Sequence, residues 1–145
     1  MRKLKSISIS AIVGMLALLT ACSQKPDEVH YGSDECAHCK MMITNNRFAS
    51  QIVTDTGKSI KFDAIECLAD YTEEHKSELK TAKMWVSDFN NPGSWIEVGK
   101  ANIVKSEVVK SPMGESLLAF ENEDAMNEHL SEYPGEPVAW QSIVK

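Results

Sequence analysis

Phe48-Ala49-Ser50-Gln51-Ile52-Val53-Thr54-Asp55-Thr56-Gly57-Lys58-Ser59-Ile60-Lys61-Phe62-Asp63 is a strand-like run, a glycine turn and a second run that alternates in polarity. Ile60 and Phe62 fall on one side of an extended chain and Ser59 and Lys61 on the other, so Thr56-Gly57-Lys58 is expected to fold the segment into a β-hairpin. Asp63 is then expected to cap a helix, with Glu66 completing a capping box and Ile65, Leu68 and Ala69 giving an apolar face as far as Tyr71. Thr72 to Lys80 is charged and expected to be solvated, with His75 at the surface.

The same order returns downstream. Ala82 to Asp88 reads as a strand, Asn90-Asn91-Pro92-Gly93 as a turn and Ser94-Trp95-Ile96-Glu97 as extended chain. Ile103 to Val109 is a further strand, Ser111-Pro112-Met113-Gly114 a tight turn and Leu117-Leu118-Ala119-Phe120 its partner, before a helix starting at Asn122 or Asp124 and ending near Pro134-Gly135. Strand, glycine turn, strand, Phe-acid, helix therefore occurs twice. The expected fold class is α+β, with two ββα-type units in one compact domain.

Upstream of the first hairpin stands Cys36-Ala37-His38-Cys39-Lys40-Met41-Met42, five sulfur or imidazole side chains in seven residues. A turn over Cys36 to Cys39 brings two sulfurs together, and an extended continuation places Cys39 and Met41 on one face. Thiolate beside thioether is a soft donor set that favours Cu(I), with His38 as a borderline nitrogen. Zinc is the weaker expectation, because no second Cys-x-x-Cys or His-x-x-x-His follows. A redox dithiol is expected at a helix N-terminus, whereas Met41-Met42-Ile43-Thr44 leads into the Asn45-Asn46 turn signal. Met113, at a hairpin tip, either packs beneath that tip or closes over a soft metal. Cys67 is expected as a buried thiol, inert by default and a metal ligand in the alternative, and Met84, Trp85 and Met126 as core residues.

The first 21 residues are expected not to belong to this fold. Arg2, Lys3 and Lys5 precede the apolar run Ile7 to Leu19, which is short for a membrane span, and Leu19-Thr20-Ala21-Cys22 has the lipobox pattern of bacterial lipoproteins. The expectation is an export signal over 1–21, lipidation of Cys22, a polar tether over 22–34 and a domain over 35–145, on the periplasmic face of a membrane. An uncleaved anchor helix is the alternative, opposed by the short apolar run. Loss of three basic residues would take the formal charge from −6 to −9, which argues against nucleic-acid binding. With Cys22 spent on lipid, Cys36, Cys39 and Cys67 are an odd set in an oxidising compartment, so at least one thiol stays unpaired. No Ser-His-Asp arrangement or phosphate loop points to an enzyme. The alternatives to metal binding are a thiol–disulfide oxidoreductase using Cys36 and Cys39, and a structural lipoprotein with a disulfide between them.

These features jointly resemble the NosL family of lipoproteins, accessory factors for copper-site maturation of nitrous oxide reductase. The resemblance rests on the lipobox, Cys36-x-x-Cys39-x-Met41, Phe62-Asp63-Ala64-Ile65-Glu66-Cys67, Val86-x-Asp88 with Trp95-Ile96, and Ser111-Pro112-Met113-Gly114 with Ala119-Phe120. It implies two ββαβ-like units akin to the organomercurial-lyase core. It further implies a Cu(I) metallochaperone with Cys39, Met41 and Met113 on the family's motif positions, and delivery through a membrane ABC-transporter-associated complex; the expected shell is Cys39 and Met41, completed by Met113, Cys36 or His38. Lys40 stands where that family commonly has glycine.

Overall fold

The computed structural model describes residues 23–144; the expected signal segment and Cys22 lie outside the described residues. In chain order the elements are β1 (Ser50–Val53), β2 (Ser59–Phe62), α1 (Ile65–Glu74), β3 (Lys83–Ser87), β4 (Trp95–Glu97), a 3-10 turn (Val98–Lys100), β5 (Asn102–Ser106), β6 (Leu117–Phe120), α2 (Glu123–Glu132), β7 (Gly135–Val138) and the short helix α3 (Trp140–Ile143). They build two antiparallel sheets, ordered β2-β1-β3-β4 and β6-β5-β7.

Each sheet places its first strand in the middle, the hairpin partner on one side and the strand after the helix on the other. The expected internal repeat is therefore present, as two ββαβ units. Both hairpin turns use a glycine with positive φ, +84° at Gly57 and +85° at Gly114, a region closed to most side chains. The strand β7 was implied by the family resemblance but not legible in its own residues. Pro137 interrupts its apolar pattern, and the chain tolerates it because β7 lies at a sheet edge opposite Val104, where a missing N–H costs little.

Alternation sorts the side chains of the second sheet. Leu117 and Ala119 enter a core shared with Ile52, Phe62, Leu68 and Val86 of the first unit, while Leu118 and Phe120 enter a second cluster with Phe48, Phe89 and Val104, against which Met126 and Leu130 of α2 pack. Burial on both faces explains the unbroken apolar run in β6.

The first sheet is also covered on both faces, in a way its sequence hides. Ile52 opposes Ile60 and Met84 on the core side, whereas Gln51 opposes Lys61 and Trp85 on the other. That second face is closed by the segment expected as a free tether. Gln51 is fully buried and exchanges two hydrogen bonds with the backbone of Asp27, accepting from its N–H at 2.9 Å and donating to its carbonyl at 3.1 Å. Lys61 Nζ donates to the Glu28 carbonyl and pairs with Asp34 at 2.8 Å, and Val29 is buried. The residues from Gln24 onward are thus a strap laid on the sheet, held because burying Gln51 requires partners for its amide.

Two further expectations change in α1. Its N-cap is Ala64, with no side-chain cap, because Asp63 is turned inward. The helix also runs three residues past Tyr71: Thr72 is buried with its hydroxyl donating to the Leu68 carbonyl at 2.7 Å, and the His75 ring stacks on Tyr71 at 4.0 Å, so neither is simply solvated.

Candidate metal centre

The Cys36 to Met41 segment is a reverse turn closed by backbone hydrogen bonds. Cys36 N–H donates to the Met41 carbonyl at 2.8 Å, Lys40 N–H donates to the Cys36 carbonyl at 3.1 Å, and Glu35 and Met42 form a single antiparallel bridge. Lys40 completes the reversal at φ +66°, in the left-handed region. This overturns the expectation that Cys39 and Met41 share a strand face by alternation, because Cys39 belongs to the turn and Met41 to the returning chain. The turn is docked on the first unit by Ala37 N–H, which donates to the Lys61 carbonyl at 2.9 Å.

Docking there delivers the two turn thiols to the junction of β2 and α1. Sγ of Cys36, Sγ of Cys39, a carboxylate oxygen of Asp63 and Sγ of Cys67 all lie within 4.8 Å of one another. Asp63 directly follows β2 and Cys67 lies in the first turn of α1, four residues apart. Cys36 and Cys67 are fully buried, Asp63 is 2% exposed, and Cys39 is partly exposed. All three are free thiols here, and Cys39 Sγ donates to Asp63 Oδ1 at 3.4 Å.

The thiols do not share their protons evenly. The hydrogen bond from Cys67, reinforced by backbone N–H groups of Asp63, Cys39 and His38, brings Cys36 down to about 6 against the opposing effect of burial. Burial lifts Cys39 to about 11. Cys67 is pushed upward, first by its hydrogen bond to Cys36 and then by burial. One proton leaves readily and each further charge is repelled by the first, so full ionisation of this pocket needs a cation. Among the described residues no lysine, arginine or histidine pairs with Asp63.

The other expected site residues are not among these four donors. His38 turns its two ring nitrogens toward Asp70 and Glu74 of α1, each at 3.7 Å, and is not one of the four gathered donors. Met41 is 43% exposed and Met113 39% exposed, so neither thioether is consumed by the core. Met113 sits on the β5–β6 turn, and that turn is fastened to α1: Ser111 Oγ donates to Glu66 Oε1, Leu117 N–H reaches the same oxygen at 3.5 Å, and Ser116 N–H donates to Ser111 Oγ at 2.9 Å. Glu66 is adjacent to Cys67, so this buried network anchors the methionine-bearing turn at the helix start that carries the thiol. Glu66 therefore serves this turn instead of the expected capping box.

Asp63 is the residue that the sequence reading misassigned. The signal for it was present in Asp63-x-x-x-Cys67, a spacing that puts both groups on one side of a helix start.

The sequence pattern of the NosL family matches residues 29–145. The chain belongs to the NosL family. Among solved structures, the crystal structure of the copper chaperone NosL from Shewanella denitrificans aligns with a TM-score of 0.70 at 18% identity, covering 85% of this chain and 98% of that one. At that identity the likeness establishes a shared NosL fold. No curated protein matches the chain.

Proposed function

We propose that this NosL-family chain is a Cu(I)-binding chaperone, not an enzyme, anchored by lipid on Cys22 to the periplasmic face of a membrane. It supplies copper for the assembly of nitrous oxide reductase, docking on the associated ABC-transporter complex. The observation that carries the copper reading is the convergence of three thiols and one carboxylate at the β2–α1 junction. Soft sulfur donors select Cu(I), and the family membership and the copper-chaperone neighbour support the same cargo. Cys39 is the point of access, since it is the one partly exposed thiol of the three. Met41 and Met113 offer exchangeable thioethers at the surface, while Cys36 and Cys67 stand behind. Weak outer donors over strong inner ones allow cargo to pass by stepwise ligand exchange.

A second ion suits the same donors. Four ligands including a carboxylate oxygen form a closed set for Zn(II), so the earlier objection to zinc, a missing second ligand pair, is met by Asp63 and Cys67. The thiol–disulfide oxidoreductase reading is less favoured, because the thiol that ionises most readily, Cys36, is fully buried.

The test is an anaerobic titration of the reduced protein with Cu(I) against a chromogenic chelator, with and without competing zinc. One-to-one binding is expected. Cys39→Ser should weaken it by more than about a hundredfold and Met113→Ala by about tenfold, since even indirect ligand supports are worth about 10–100-fold. Wild-type protein that fails to compete, or variants that match it, would remove the copper assignment.

A further inference from the structure

The strap over the first sheet fixes where a lipid on Cys22 must lie. Gln24 Nε2 donates to the carbonyls of Val53 at 3.4 Å and Thr81 at 2.6 Å, and Trp85 Nε1 donates to the Gln24 carbonyl at 3.2 Å. Val53 ends β1 and Thr81 precedes β3, so both acceptors belong to the sheet end that carries the β1–β2 turn. Cys22 is two residues earlier, and two residues of extended chain span at most about 7 Å. A lipid on its sulfur therefore holds this end of the domain at the membrane, with no free spacer between.

The same end is unlike the rest of the chain in charge. Across the sheet Ser59, Val53 and Lys83 lie in register, which brings together Lys58, just before β2, and Lys83, at the start of β3, with Lys80 and Lys25 nearby. All four lysines are exposed, and none is in an ion pair among the described residues. Asp55 and Glu78 are the acidic residues nearest in the chain to Lys58 and Lys80, and Asp27 the one nearest to Lys25, in a chain whose formal charge is −6. From here β2 runs four residues away, roughly 13 Å at strand rise, before Asp63 enters the cysteine cluster.

We infer that the β1–β2 turn end of the first sheet rests its lysines on anionic lipid headgroups, and that the cysteine cluster is presented at the opposite end, away from the membrane. This rests on lipid attachment at Cys22, as proposed above. Cargo exchange then takes place on the side open to soluble partners, and the lysines set the orientation that the lipid alone leaves free.

The experiment uses the full chain, produced where lipoproteins are processed and placed in vesicles of phosphatidylethanolamine and phosphatidylglycerol, beside the Cys22→Ala protein in solution. Acetylation rates of individual lysines are read by peptide mass spectrometry. Expected is severalfold slower acetylation of Lys58, Lys80 and Lys83 on vesicles, with Lys105 and Lys110 of the second unit unchanged. The double substitution Lys58→Glu with Lys83→Glu should abolish the protection of Lys80 while leaving the lipid in place. Uniform rates on a lipidated chain, or protection of Lys105 and Lys110, would overturn the orientation alone. Protection of Lys80 that survives the double substitution would remove the role given to the lysines. A chain that carries no lipid by mass overturns the anchor and this inference together.

Discussion

Lys40 holds a left-handed backbone, φ +66°, that a lysine adopts at a cost and a glycine adopts freely. Replacing it should relieve part of that strain. Lys40→Gly is expected to raise the unfolding free energy in urea by about 0.5–1 kcal/mol, less than the full left-handed penalty because glycine gains freedom in the unfolded chain. Lys40→Val should lower it. Glu66 gives the residue-scale pH dependence. Burial raises its carboxyl above the usual value of 4.5, so the folded state keeps a proton that the unfolded state has lost. Such a group contributes stability below 4.5 and loses it as pH rises through its folded value. Glu66→Gln keeps an acceptor for Ser111 and Leu117, and is expected to be the more stable protein at pH 7, the difference closing as pH falls toward 4.5. Denaturant midpoints across that range check the sign. Residue types alone displayed the soft donors Cys36 and Cys39. They displayed Asp63 only through its spacing to Cys67, because a carboxylate before a helix looks like a cap until the turn carrying the sulfurs is packed against it.

Among elements, hairpins and helices were legible wherever local chemistry sets them. Gly57 and Gly114 dictate turns, and Asn122 caps α2 by accepting from the Ala125 N–H at 2.9 Å, as its position suggested. What needed the folded chain was every contact between distant segments. Gln51 is the clearest case: in sequence it is the polar position of an exposed strand face, yet it is fully buried because residues 24–29 cover it. Gln51→Ala would leave the Asp27 N–H and carbonyl without their partners and is expected to cost about 2 kcal/mol. It should also loosen the strap, seen as faster tryptic cleavage after Lys25 at unchanged cleavage after Lys105.

On the scale of the molecule, the two units share one core. Leu117 from the second packs in the same cluster as Phe62, Leu68 and Val86 from the first. A single unfolding transition is therefore expected, with Trp fluorescence and far-ultraviolet circular dichroism coincident. Leu117→Ala should lower the stability by about 2–5 kcal/mol and move both signals together. Separate transitions would mean that the units fold independently. The repeat itself could be read from the sequence, because it is written in local turns and alternation, whereas its common core is a long-range product of packing.

The two units match with an offset of 58 from β2 to β6 and from α1 to α2. At that offset Glu121 answers Asp63 and Ala125 answers Cys67, and nothing in the second unit answers the Cys36 to Cys39 turn. One arm of the duplication thus carries the four gathered donors, and the other contributes the turn that bears Met113. On the function proposed above, a chaperone built this way has valency one: it carries a single load at a time, and the second arm's own helix start, from Glu121 to Ala125, is free ground on which drift or design can write a second specificity.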